Sequence, residues 1–181
     1  MERVRRIIKK VEPHDSADRY TKMGVEVIKS TARITSPFTV EVDGRTLVTR
    51  NIVVATGARP FVPPIAGLDE IDYLTSDNIW EIRELPPRLV VLGGGPIGCE
   101  MTQAFARLGS EVTQVEMAPR ILLREDEDIS EMVRRKFEEE GVRVLTGHKA
   151  DRVRIEGERK ILLCENQSGS VEIEFDEILV A

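Results

Sequence analysis

The chain has 181 residues with 41% hydrophobic and 4% aromatic content, the composition of an ordinary globular protein with ample material for a buried core. A net charge of −6 offers no basic face to nucleic acid, and the short basic start Arg3-Val4-Arg5-Arg6 alternates with apolar residues as the polar side of a helix does. No apolar run reaches membrane-spanning length and the start lacks a signal-peptide core, so a cytoplasmic protein with neither nucleic-acid nor membrane partners is expected.

Residues 1–57 read as a helical segment closing at Gly24, then a strand at Val25-Glu26-Val27-Ile28. Strands follow around 32–34 and 39–42, the hairpin dipeptide Asp43-Gly44, and strands at Leu47-Val48 and Asn51 to Ala55. The proline-rich stretch holding Pro60, Pro63, Pro64, Pro86 and Pro87 reads as a connector with one short helix near Ser76 to Ile82. An apolar strand, Leu89 to Leu92, then enters Gly93-Gly94-Gly95-Pro96-Ile97-Gly98. A helix pattern runs on to Leu108-Gly109, with Ile97, Met101, Ala104, Phe105 and Leu108 as its expected apolar face. A second apolar run, Val112 to Val115, ends on Glu116. Next comes a helix with Asp128 and Glu131 at capping-box spacing and Gly141 as its stop. A strand at Val142 to Leu145, a meander over 152–155, 160–164 and 171–175, and a last strand Ile178 to Ala181 follow.

The stretch from Arg88 to Glu116 carries the chemistry. A bare G-x-G-x-x-G is weak, but here it follows a strand, opens a helix and has an acidic strand end roughly 20 residues further on, which makes it a dinucleotide-binding fingerprint. Gly93 allows the tight turn, Gly95 admits a pyrophosphate close to the backbone, and Gly98 lets the helix pack on the sheet. The pyrophosphate then meets unpaired N–H groups at the positive end of the helix dipole. Pro96 suits the first helical turn, where an N–H is dispensable. The carboxylate of Glu116 suits the ribose diol and repels a 2′-phosphate, so NAD(H) is expected over NADP(H), with Arg120 and Arg124 read as solvated loop charges.

Two copies of one supersecondary plan are legible: Val25 to Ala55 echoes Val142 to Ala181, and only the second copy has a strand–glycine turn–helix opening. The first copy thus reads as the tail of a second nucleotide-binding domain whose head precedes Met1. The expected organisation is a partial domain over 1–60, a connector over 61–82 and a nucleotide-binding domain over 83–181. Cys99 and Cys164 form no redox pair and fall in apolar patterns, which fits buried thiols. His14 and His148 have no clustered ligand partners, so no metal site is expected.

The order Val53-Val54-Ala55-Thr56-Gly57-Ala58-Arg59-Pro60, the proline-rich connector, Gly93 to Glu100, and Val115-Glu116-Met117-Ala118-Pro119-Arg120-Ile121-Leu122 resembles the flavoprotein (pyridine nucleotide) disulfide reductases. Mercuric-reductase-like and dihydrolipoamide-dehydrogenase-like members are the most similar in these motifs. The resemblance implies an α/β fold: a Rossmann-type NAD-binding domain with three-layer ββα organisation and a β-meander, plus a partial FAD-domain β segment. It implies NAD contacts at Gly93, Gly95, Pro96, Ile97, Gly98, Glu100, Glu116, Met117 and Ala150, with Glu100 near the nicotinamide and Met117 and Ala150 against the adenosine. It also implies that Ala32, Ala55, Thr56 and Gly57 approach FAD in the intact enzyme, a homodimer formed through a domain absent here. The flavin fingerprint, the C-x-x-x-x-C pair and the later flavin motif have no counterpart in these residues. The chain alone is therefore expected to bind the dinucleotide but neither hold FAD nor turn over. The alternative is a free-standing NAD-binding or sensing module without catalysis.

Overall fold

The structure, a computed structural model, describes residues 1–181 and divides into two compact units, Met1–Ala58 and Arg59–Ala181. The first opens with helix α1 (Glu2–Val11), a single 3₁₀ turn at Glu12–Asp15 where Pro13 interrupts the α pattern, and helix α2 (Ala17–Lys22). The Ser16 side chain caps α2 by accepting from Arg19 N at 3.3 Å. Strands β1 (Ala32–Ser36), β2 (Thr39–Val42) and β3 (Arg45–Val48) form an antiparallel meander. Asp43 and Gly44 both take positive φ at its second turn, the geometry an Asp-Gly hairpin calls for.

Two expected strands of this unit are absent. Val25 to Ile28 and Asn51 to Ala55 are irregular, and Val53 is 88% exposed. Neither run has the ladder partner that would take its N–H and C=O groups in a sheet. The matching segments of the second unit, 143–146 and 177–180, have such partners.

In the second unit β4 (Arg88–Leu92), β5 (Glu111–Glu116), β6 (Arg143–Thr146) and β10 (Glu177–Val180) form a parallel sheet in the order β10-β4-β5-β6. Strands β7 (Lys149–Glu156), β8 (Arg159–Asn166) and β9 (Gly169–Phe175) form an antiparallel meander. One core joins the two sheets: Val90, Leu92, Val115, Ile178 and Val180 of the parallel sheet meet Val153, Leu162, Ile173 and Phe175 of the meander. Helices α3 (Pro96–Leu108) and α4 (Glu127–Glu139) supply the third layer, so the unit is a Rossmann-type α/β fold of ββα organisation.

Residues 61–82 are less a free connector than a strap on this unit. Ala66 bridges Arg152 and Leu74 bridges Leu179, with Leu74 N donating to Ile178 O and Val180 N to Leu74 O, both at 2.8 Å. The strap's own Leu68 and Ile79 are buried in the unit. The helix expected over Ser76 to Ile82 shrinks to a 3₁₀ turn, Ile79–Glu81. The Asn78 carbonyl Oδ1 accepts from Thr75 N at 2.7 Å and its amide donates to Tyr73 O, side-chain bonds that compete with a regular helix.

Both long helices correct an expectation. The buried face of α3 is Gly98, Cys99, Thr102 and Phe105, leaving Ile97, Ala104 and Leu108 exposed and Met101 half-buried. Gly98 decides the rotation: a Cβ there would lie 2.2 Å from Gly93 O, so this residue must face the turn. The apolar stripe, one position (about 100°) further round, is then turned outward. In α4 the N-cap is Asp126, and no capping box forms. Asp128 lies inside the first turn, and Glu131 pairs with Arg134 and Arg135 instead.

Candidate functional site

The glycine loop leaves β4 at Leu92, and Gly93 extends the ladder by donating to Val115 O at 2.9 Å. At Gly93 φ is +118°, and a Cβ would stand 2.2 Å from Ala181 O at the end of β10. Gly94 is confined as well: a Cβ there would lie 2.9 Å from Ile121 Cγ2 and 3.0 Å from the Glu116 side chain. Gly95 differs: its φ of −73° suits any residue, and an added Cβ would meet nothing within 4 Å. Protein packing therefore accounts for glycine at 93, 94 and 98, and only open space lies over Gly95. That is the position at which a phosphate must come close to the backbone.

Glu116, half-buried at the end of β5, spans the loop. Its Oε2 accepts from Gly94 N and its Oε1 from Ala118 N, both at 2.6 Å. Each oxygen keeps a further lone pair for an outside donor. Two cavities meet at this carboxylate. One, about 400 Å³, is floored by Leu92, Gly93, Val180 and Ala181 and walled by Met117 and Ala150. The other, about 370 Å³, runs over Gly94, Gly95 and Pro96 toward Arg124. Both lie at the carboxyl ends of the strands, beside the point where the strand order reverses from β4–β5 to β4–β10, the usual ligand crevice of an open parallel sheet.

Of the residues expected to contact a dinucleotide, the structure brings Gly93, Gly95, Pro96, Glu116, Met117 and Ala150 to these two cavities. Gly98 packs behind the loop. Ile97 and Glu100 sit on the outward side of the first turns of α3, both exposed. Arg120 donates through Nη1 to Glu125 O at 2.9 Å and to Leu122 O, so it is occupied with its own turn. The residues expected near FAD build no cradle by themselves. Ala32 starts β1, and Ala55, Thr56 and Gly57 lie in exposed irregular backbone.

Two participants escaped the sequence. His148 lines the larger cavity, with Nδ1 2.7 Å from Thr146 O and Nε2 2.8 Å from Asn166 Nδ2. A carbonyl takes a donor and an amide nitrogen takes an acceptor, so these two contacts fix the orientation of the ring at the cavity wall. Its only sequence signal is its place just after the strand beside β5. Gln114 is the other: a fully buried amide in the middle of β5, where the apolar pattern conceals it. Both cysteines are buried, and desolvation raises both thiols, Cys164 to about 11. Such thiols are poor nucleophiles. No three His, Cys, Asp or Glu side chains are grouped to hold a metal ion, and no helix is long and apolar enough to cross a membrane.

The profile of the pyridine nucleotide-disulphide oxidoreductases matches residues 3–181. The chain belongs to that family. A mercuric reductase of Bacillus cereus is 39% identical over 158 residues, covering 87% of this chain and 25% of its own length. A dihydrolipoyl dehydrogenase of Thermus scotoductus is 36% identical, covering 87% of this chain and 34% of its own. Among solved structures, the HOCl-induced flavoprotein disulfide reductase RclA from Escherichia coli superimposes with a TM-score of 0.81 at 26% identity, over 99% of this chain and 41% of that one. The chain thus spans about a quarter to a third of the length of these curated relatives.

Proposed function

We propose that this chain is the NAD(H)-binding centre of an FAD-dependent pyridine nucleotide-disulfide oxidoreductase. The observation that carries the reading is Gly95: open space above an unconstrained glycine, at the N-terminus of α3, with the Glu116 carboxylate 2.6 Å from the neighbouring Gly94 N–H. A pyrophosphate over Gly95 meets the helix's unpaired N–H groups, while the ribose diol donates to the lone pairs left on Glu116. The adenine then occupies the cavity between Met117 and Ala150. Ile97 and Glu100 flank the helix start on the nicotinamide side.

NADH is preferred over NADPH, because a 2′-phosphate would be set against Glu116, which adjoins the ribose, while Arg120 is engaged with its own turn and Arg124 is an exposed side chain at the rim of the loop cavity. In the intact enzyme bound NADH supplies a hydride to a flavin, and the enzyme is a homodimer through parts not represented in these residues. The exposed Ala55, Thr56 and Gly57 favour a second, narrower statement: the 181-residue chain by itself binds the dinucleotide without holding FAD or turning over. Calorimetric titration of the chain with NADH, NADPH, S-adenosylmethionine and FAD tests both, and FAD binding as tight as NADH would overturn the narrower statement. NADH should bind tightest. Tighter S-adenosylmethionine would point to a methyltransferase-like site and overturn the reading, and NADPH binding as well as NADH would overturn the cofactor preference.

A further inference from the structure

We propose that a buried polar clasp, the amide of Gln114 with the thiol of Cys99, positions the glycine loop for its ligand by drawing two successive carbonyls inward. This rests on the dinucleotide reading above. Gln114 is 0% exposed on β5, on the face toward α3. Its Nε2 donates to Gly93 O at 3.1 Å and lies 3.5 Å from Cys99 Sγ, while its Oε1 has no partner. Only the NH₂ edge can face a carbonyl, so the amide cannot flip to satisfy Oε1 without abandoning Gly93. Cys99 Sγ in turn donates to Gly94 O at 3.5 Å, and Leu122 N, from a residue in the left-handed region, donates to the same oxygen at 2.6 Å.

The consequence follows from the planar trans peptide, in which C=O and N–H point opposite ways. With Gly93 O held inside, the Gly94 N–H points out, and there it meets Glu116 Oε2. With Gly94 O held inside, the Gly95 N–H is turned to the outer side of the loop, where it donates to no group of the chain. That N–H is left facing the space a pyrophosphate would fill. An apolar side chain shaped like Gln114 would remove the unpartnered Oε1 but leave the inward Gly93 O without its donor, so on folding grounds alone glutamine gains little here. Its return is in loop orientation. Gln114 and Cys99 touch no ligand; they are positioning residues.

The test is Gln114→Met in the 181-residue chain, with NADH, ADP and adenosine as the probes. The unfolding midpoint should stay close to that of the wild type, while the Kd for NADH and for ADP rises about five-fold, the equivalent of ~1 kcal/mol for one neutral hydrogen bond. Adenosine, which keeps the ribose contact to Glu116 but has no phosphate, should lose less affinity than NADH and ADP. Cys99→Ala should weaken NADH and ADP in the same sense, and Cys99→Ser, which restores a donor, should recover most of the loss. Unchanged NADH affinity in Gln114→Met and Cys99→Ala, or an equal loss for adenosine, overturns the clasp. A Gln114→Met chain that fails to fold leaves the decision to the cysteine pair, which is read by the same titrations. Failure of the wild type to bind NADH at all would instead sink the dinucleotide reading itself.

Discussion

Gly95→Ala separates ligand space from protein space more sharply than any other single change. Its φ of −73° imposes no strain on alanine, and the new methyl would meet no heavy atom within 4 Å. Alanine is a poorer N-cap than glycine by several tenths of a kcal/mol, but it restricts the unfolded chain by about 0.4–1 kcal/mol, so stability should change by no more than about 0.5 kcal/mol. For a chain of this size that is about 1–2 °C in Tm. Binding should suffer far more. The methyl stands where the pyrophosphate approaches, and losing one hydrogen bond to a charged phosphate costs about 1.5–3 kcal/mol, roughly a 10- to 150-fold rise in Kd. Gly98→Ala is the control, because its Cβ would lie 2.2 Å from Gly93 O and 3.0 Å from Gly93 C, both backbone atoms. That variant should lose stability and binding together, by the roughly 1–3 kcal/mol typical of overpacking. Scanning fluorimetry and NADH titration on the same preparations make the comparison. A Gly95→Ala chain that binds NADH like the wild type would show that no phosphate sits over this residue.

Other outcomes can be stated briefly. Glu116→Ala should weaken NADH by about 1–3 kcal/mol and also lower stability, since Gly94 N and Ala118 N lose their acceptor; an intact affinity by calorimetry would remove Glu116 from the ribose. The Arg88 guanidinium holds the Asp176 carboxyl below the usual carboxylate range. Its contribution is present above the unfolded pKa of about 3.9 and is lost as pH falls through the lower folded value, so acid unfolding below about pH 4 should be less steep in Arg88→Met than in wild type. With Cys164 pushed up to about 11 by burial and Cys99 also raised, iodoacetamide at about pH 8 should leave both thiols unmodified in the folded chain, as mass spectrometry would register. Amides of 25–28 and 51–55, which lack ladder partners, should exchange faster than those of 88–92 and 111–116; equal protection would mean those segments are paired after all.

Much of the site was legible because short-range chemistry dictates it. The glycine loop, Glu116 and the strands around them follow from local pattern and spacing, and all lie where the pattern implies. Ladder-dependent features were not legible. The apolar runs Ile52 to Ala55 and Ile178 to Ala181 look alike in sequence, yet Ile178 to Val180 pairs with Val90 to Leu92 while Ile52 to Ala55 pairs with nothing. The rotation of α3 is set by the steric demand of Gly98 against Gly93 O, which an apolar stripe in the sequence does not register. Gln114 and His148 are recognisable only through partners distant in sequence: Gly93 and Cys99 for one, Asn166 for the other.

The strap over residues 61–82 bears on how this nucleotide unit can be moved between proteins. A graft beginning at 83 would keep every residue of the glycine fingerprint, yet it would strip Ile65, Leu68 and Ile79 from the interior. It would also leave Ile178 O, Val180 N and Val153 N without the backbone bonds that Leu74 and Ala66 provide. Gly67, whose Cβ would lie 2.3 Å from Val153 O, marks how closely that strap is seated. The transplantable cassette accordingly begins at Arg59, and the proline-rich stretch travels with it as cargo rather than tether.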